Sequence, residues 1–262
     1  DGPIVSLPVE KQVPGVKLPP APKTPNAYVF DVFREKTPGL LRYNFHAAND
    51  ESENFAWNVE NERSENKSFG NFPYDYTFYS GDIPGDLTVL WKIRRTAEKA
   101  VGGKTVSGPY ERTQMRENFN EQDPERFVRL HLLGLPGKSV AQRAQYEDHY
   151  MGHRMSMISA AVESPKGRAF VGVIEPFCGE GFIKKASILD FSPKAGAWDD
   201  PVGAMVETND GQTHWNISSL PGKTVTAGDI RFDGRTGFVS RDAKSLKMAA
   251  LSGGTLLELP GI

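Results

Sequence analysis

Apolar and polar residues alternate with a period of two along much of the chain after residue 26. Leu87, Val89, Trp91 and Ile93 alternate with Thr88, Leu90, Lys92 and Arg94, giving a strand with one apolar and one mainly polar face. Leu41, Tyr43 and Phe45 alternate in the same way with Arg42 and Asn44. Residues 127–133 form a further apolar stretch that stops at Gly134-Leu135-Pro136-Gly137. Short strands are also predicted over 29–33, 155–162, 168–177, 183–191, 203–208, 213–217, 238–241, 245–251 and 255–259. Pro38-Gly39, Pro165-Lys166-Gly167 and Asn209-Asp210-Gly211 carry turn chemistry, and each reads as the tip of a hairpin. Two stretches break the pattern. Residues 47–72 are polar and read as a surface loop system, and residues 139–150 read as room for a short helix.

Strands spaced about ten residues apart, with Gly or Pro between them, indicate a sandwich or barrel. The expected fold is all-β: an antiparallel β-sandwich of large twisted sheets, jelly-roll-like in form. Residues 1–26 stand apart. Pro3, Pro8, Pro14, Pro19, Pro20, Pro22 and Pro25 remove amide donors and fix φ, which excludes a helix or a central strand. This stretch reads as an extended Pro-rich arm or a linker. Residues 27–262 read as one β-sandwich domain, a length that can bury a sizeable core.

Charge narrows the function. The formal net charge of -2 argues against nucleic acid as a partner. Its distribution is uneven. Residues 50–65 are acidic, while residues 92–116 hold Lys92, Arg94, Arg95, Lys99, Lys104, Arg112 and Arg116 against Glu98 and Glu111. A basic stretch of this kind suits an acidic glycan. No apolar run approaches the roughly 20 residues that cross a bilayer, so no membrane partner is expected. Cys178 is alone and forms no internal disulfide. A chain without an initial Met and without an apolar leader fits a mature exported protein, secreted or periplasmic.

Candidate chemistry is sparse. His149 and His153 lie four apart, but no Glu follows the first His, so the zincin pattern is absent and no metal is expected. Tyr146 and Tyr150 flank Arg143 and those histidines, and the four residues Tyr146, His149, Tyr150 and His153 are the nearest thing to an acid–base set. Asp31 and Glu175 sit inside apolar runs and need partners if buried, with Arg34 a natural one. Trp57, Tyr74, Tyr76, Tyr79, Trp198 and Trp215 are the aromatic residues suited to stacking on sugar rings, with Arg94 and Arg95 suited to carboxylates. Trp91, inside a clean strand, reads as core. No phosphate-binding glycine loop and no nucleophile elbow is present, and no cofactor is expected.

Three blocks of the chain share an order with one known family. Tyr28-Val29-Phe30-Asp31-Val32-Phe33-Arg34 leads to Tyr43-Asn44-Phe45-His46. Val173-Ile174-Glu175-Pro176-Phe177 follows. Asp210-Gly211-Gln212-Thr213, Ile230-Arg231-Phe232-Asp233-Gly234-Arg235-Thr236-Gly237 and Leu251-Ser252-Gly253-Gly254-Thr255 close the series. Together they resemble the C-terminal β-rich region of the heparinase II/III-like polysaccharide lyases. The resemblance implies a β-sandwich that works on acidic, uronate-containing polysaccharide. Those enzymes also carry an α/α toroid and a His-x-His loop. This sequence contains no His-x-His, and a toroid does not fit within 262 residues. The expectation is therefore a non-catalytic glycan-binding or structural module, partnered by a separate toroid chain or domain. The alternative is a reduced or two-chain lyase acting by β-elimination.

Overall fold

The computed structural model describes residues 27–47, 55–68, 75–93, 126–148, 153–192 and 197–259. Among them every regular element is a strand, and every strand pairing is antiparallel. The protein is all-β, and its sheets pack face to face.

Ten strands build the first two sheets. They are β1 (Val29–Glu35), β2 (Gly39–Ala47), β3 (Phe55–Trp57), β4 (Glu60–Ser68), β5 (Asp75–Asp82), β6 (Leu87–Ile93), β7 (Arg126–Leu133), β8 (Val140–Asp148), β9 (His153–Ser164) and β10 (Arg168–Cys178). The first sheet runs β1-β10-β7-β6-β3 and the second β2-β9-β8-β5-β4. The two orders match: each strand of the first sheet continues, through a short corner, into the strand at the same place in the second. The chain therefore makes five bent ribbons that fold over one rim. The corners at 36–38, 58–59, 83–86, 134–139 and 165–167 all lie along it.

This corrects two predicted hairpins. Pro38-Gly39 and Pro165-Lys166-Gly167 join strands of different sheets, so β1 pairs with β10, and β2 with β9. Turn chemistry marks where a chain bends but does not say which strand it then pairs with. The two corners nest. A Cβ on Gly167 would lie 2.3 Å from the Glu35 carbonyl oxygen and 2.7 Å from that of Lys36, and Gly167 has φ +68°. Only glycine permits that approach.

Two further expectations are corrected. The polar stretch 47–72 contains β3 and β4, and residues 139–150 contain β8 instead of a helix. β3 and β4 are edge strands, and β4 is charged and exposed from Glu60 to Glu65, as edge strands commonly are. In β8 the inward positions are Ala141 and Arg143, so no run of large apolar residues announces it.

The core between these sheets holds Leu87, Val89, Trp91, Leu130, Leu132, Ile158, Val162 and Phe170. Trp91 is fully buried, as its alternating strand predicted, with Phe45 and Phe55 against its ring. β10 reads as an unbroken apolar run because both its faces are covered. Phe170 meets the second sheet, while Val171 and Val173 meet a third.

That third sheet runs β11 (Ile183–Ile188), β13 (Val202–Thr208), β14 (Thr213–Ser218), β17 (Thr236–Arg241) and β18 (Leu246–Ser252). A fourth runs β12 (Phe191–Ser192), β15 (Val225–Ala227), β16 (Ile230–Asp233) and β19 (Leu256–Glu258). Asn209-Asp210-Gly211 forms the predicted hairpin between β13 and β14, with Gly211 at φ 85°. Leu133, Val171, Val173, Ile183, Ala204 and Val206 fill the space between the first and third sheets. Phe191, Ile217, Val225, Ile230 and Phe232 fill that between the third and fourth. The order of layers is second, first, third, fourth.

Candidate functional site

The sheet corners bring a group of cations to the junction of the first and third sheets. Arg34 ends the inward reach of β1, Lys36 sits on the corner after it, and Arg168 opens β10. Facing them is the turn Ala197–Asp200, which leads into β13. Arg34 fixes that turn. Its Nη1 donates to the carbonyls of Trp198 and Asp200, both at 2.7 Å. Its Nη2 donates to the Ser218 carbonyl at 3.1 Å and to Ser218 Oγ at 3.2 Å. Within the turn, the Asp200 carboxylate accepts from the Ala197 amide. Trp198 is thereby held half-buried, with the Lys36 ammonium 4.4 Å from its ring centroid. Such a cation over an indole is worth about 0.5–1 kcal/mol where exposed.

Beside this turn lies a cavity of about 140 Å³. Leu133, Val171, Leu189 and Val202 give it apolar walls, and Arg168, Asp190 and Asp200 are its charged members. Arg168 Nη2 donates to the Gly134 carbonyl, while its Nε is buried without a partner. Burial pulls both arginines below their usual pKa. Asp200 and Asp199 oppose this for Arg34.

Two other constellations are more enclosed. Arg143 is 6 % exposed, its guanidinium lying 3.9 Å from the Tyr79 ring centroid, 4.4 Å from Phe55 and 5.7 Å from Trp57. The Trp57 indole N–H donates to Glu62. Between the first and third sheets, Asn216 Nδ2 donates to the Tyr28 hydroxyl at 2.9 Å, and that hydroxyl lies 3.0 Å from His214 Nδ1. Burial raises the Tyr28 pKa and lowers that of His214, against the pull of Asp210. Both groups are therefore held neutral, which suits a fixed tie between layers.

The carboxylates inside the apolar runs have partners. Asp31 accepts from the Tyr43 hydroxyl at 2.7 Å. Glu175, fully buried, meets Arg129 at 3.1 Å and accepts the Ile183 amide at 2.7 Å. Arg34 pairs with neither, because main-chain carbonyls occupy its donors.

The aromatic candidates do not converge. Trp57 stands at the edge of the first sheet, Trp198 at the junction cleft, and Trp215 packs between the third and fourth sheets. Tyr76 and Tyr146 lie on β5 and β8 of the second sheet. His153 opens β9, in register with Asp148. Tyr74, Arg94, Arg95, His149 and Tyr150 fall outside the described residues. Among the described residues no group of three or more His, Cys, Asp or Glu is placed to hold a metal, and no helix is long and apolar enough to cross a membrane. Lys36 and Arg168 were missed in the sequence, yet each stands by a Pro/Gly corner, and basic residues repeated at both corners are a readable signal. No family model matches the chain, and a search of curated proteins finds no relative.

Proposed function

We propose that this chain is a non-catalytic glycan-binding module for an acidic, uronate-containing polysaccharide, acting outside the cytoplasm alongside a separate catalytic toroid. The observation that carries this reading is the junction cleft. There the Lys36–Trp198 pair stands on the turn beside a concavity that has apolar walls and Arg168 in its lining. Sugar rings place C–H groups on aromatic faces, and uronates add a carboxylate that Lys and Arg attract. The resemblance to heparinase II/III-like lyases points to the same ligand.

Electrophoresis through gels containing alginate, heparin or chondroitin sulfate tests the proposal. At least one glycan should retard the protein at low salt, and added salt should weaken the effect. Trp198→Ala should weaken retention about tenfold, the loss of roughly 1.4 kcal/mol of stacking. Absence of retardation on all three, or unchanged retention of the variant, rejects the reading. Release of an ultraviolet-absorbing unsaturated uronate would instead favour the lyase alternative.

A further inference from the structure

The cavity beside the Ala197–Asp200 turn has features that the surface cleft alone does not explain. Its volume of about 140 Å³ is well below the roughly 300–1,000 Å³ of drug-sized pockets. It suits one ring, not an extended chain.

Its charges are unevenly balanced. Arg34, just outside, lies beside Asp199 and Asp200 and spends its donors on three carbonyls and a hydroxyl. Arg168 has one carbonyl partner, that of Gly134, and no carboxylate within ion-pair distance among the described residues. Its strand neighbour Glu35 turns away to accept the Thr37 amide at 2.8 Å. Asp190 is exposed, at the mouth. A guanidinium partly withdrawn from water with no carboxylate in contact is disfavoured, and an anion placed against it relieves that penalty. Its planar fork matches a carboxylate better than a point charge. A bare carboxylate would leave the walls at Leu133, Val171 and Val202 uncovered, whereas a sugar ring offers them C–H groups.

We propose that this cavity takes a single uronate residue, the end of an acidic chain or the free sugar acid. Its carboxylate lies on Arg168, its ring against Leu133, Val171 and Val202, and its hydroxyls toward Asp190 at the mouth. The inference rests on the acidic-glycan reading and deepens it: Lys36 and Trp198 would carry the neighbouring residues of the chain.

Calorimetric titration of the full chain with sodium glucuronate, glucose and sodium acetate tests it. Glucuronate should bind saturably, with glucose and acetate each at least tenfold weaker. Arg168→Gln should weaken glucuronate at least tenfold. Since Arg168 also holds Gly134, a second variant is needed that leaves it untouched. Ala197→Trp fills the cavity from its half-buried rim and should abolish binding, while urea unfolding reports whether each variant is folded. No saturable glucuronate binding by the wild-type protein overturns the proposal. So does undiminished binding by folded Ala197→Trp, or acetate binding as tightly as glucuronate. Wild-type protein that is retarded by acidic polysaccharide but does not bind glucuronate defeats the cavity assignment alone, whereas loss of retardation defeats the broader reading.

Discussion

His131 should make the protein sensitive to mild acid. It sits on β7 with Nδ1 3.1 Å from Thr88 Oγ1 and Nε2 buried without a partner. Burial, with the Arg129 charge nearby, lowers its pKa from 6.5 to about 4. The unfolded chain then binds a proton that the folded one refuses. The resulting stability is complete well above pH 6.5 and is lost as pH falls toward 4. Lowering the pKa from 6.5 to about 4 gives roughly 3 kcal/mol in full, with about 2 kcal/mol lost by pH 5 relative to pH 7. Urea midpoints of wild-type protein and His131→Leu between pH 7 and pH 4.5 check this. Leucine cannot titrate, so the difference between the two isolates His131 from the other acid-sensitive groups. The variant should lose about 2 kcal/mol less than wild type on going to pH 5. Parallel pH dependences would refute the reasoning.

Glu175→Ala should destabilise by about 3–5 kcal/mol, since it strands Arg129 and the Ile183 amide, and Glu175→Gln should cost less because an acceptor remains; urea unfolding decides. Gly167→Ala should cost at least about 2 kcal/mol in the same assay, as the new methyl meets the Glu35 and Lys36 carbonyls at a left-handed φ; a neutral result would deny the nesting of the two corners. Arg34→Met should free the turn that carries Trp198, visible as increased acrylamide quenching of tryptophan fluorescence and a loss of about 2–4 kcal/mol, and unchanged quenching would argue against Arg34 as its anchor.

The strands were legible where one face is buried and the other solvated. β6 shows this well: Leu87, Val89 and Trp91 are all fully buried. β4 and β8 were not, because an edge strand lined with charge and a strand whose inward cation lies under aromatic rings carry no apolar period. Pairing was less legible than strand existence. The corner at Pro165-Lys166-Gly167 was correctly placed as a bend, but its partner strand lies far along the chain, where local turn chemistry carries no information. Among site residues, Trp198 was found because indoles are conspicuous. Arg168 was not, because an arginine beside a turn usually faces solvent; here the third sheet covers it, a long-range fact.

Because all five ribbons bend over a single rim, the five corners tie the two sheets together along one side. Foreign peptides spliced between β6 and β7, or between β8 and β9, would leave every corner intact. Such inserts would be presented at the pole away from the corners.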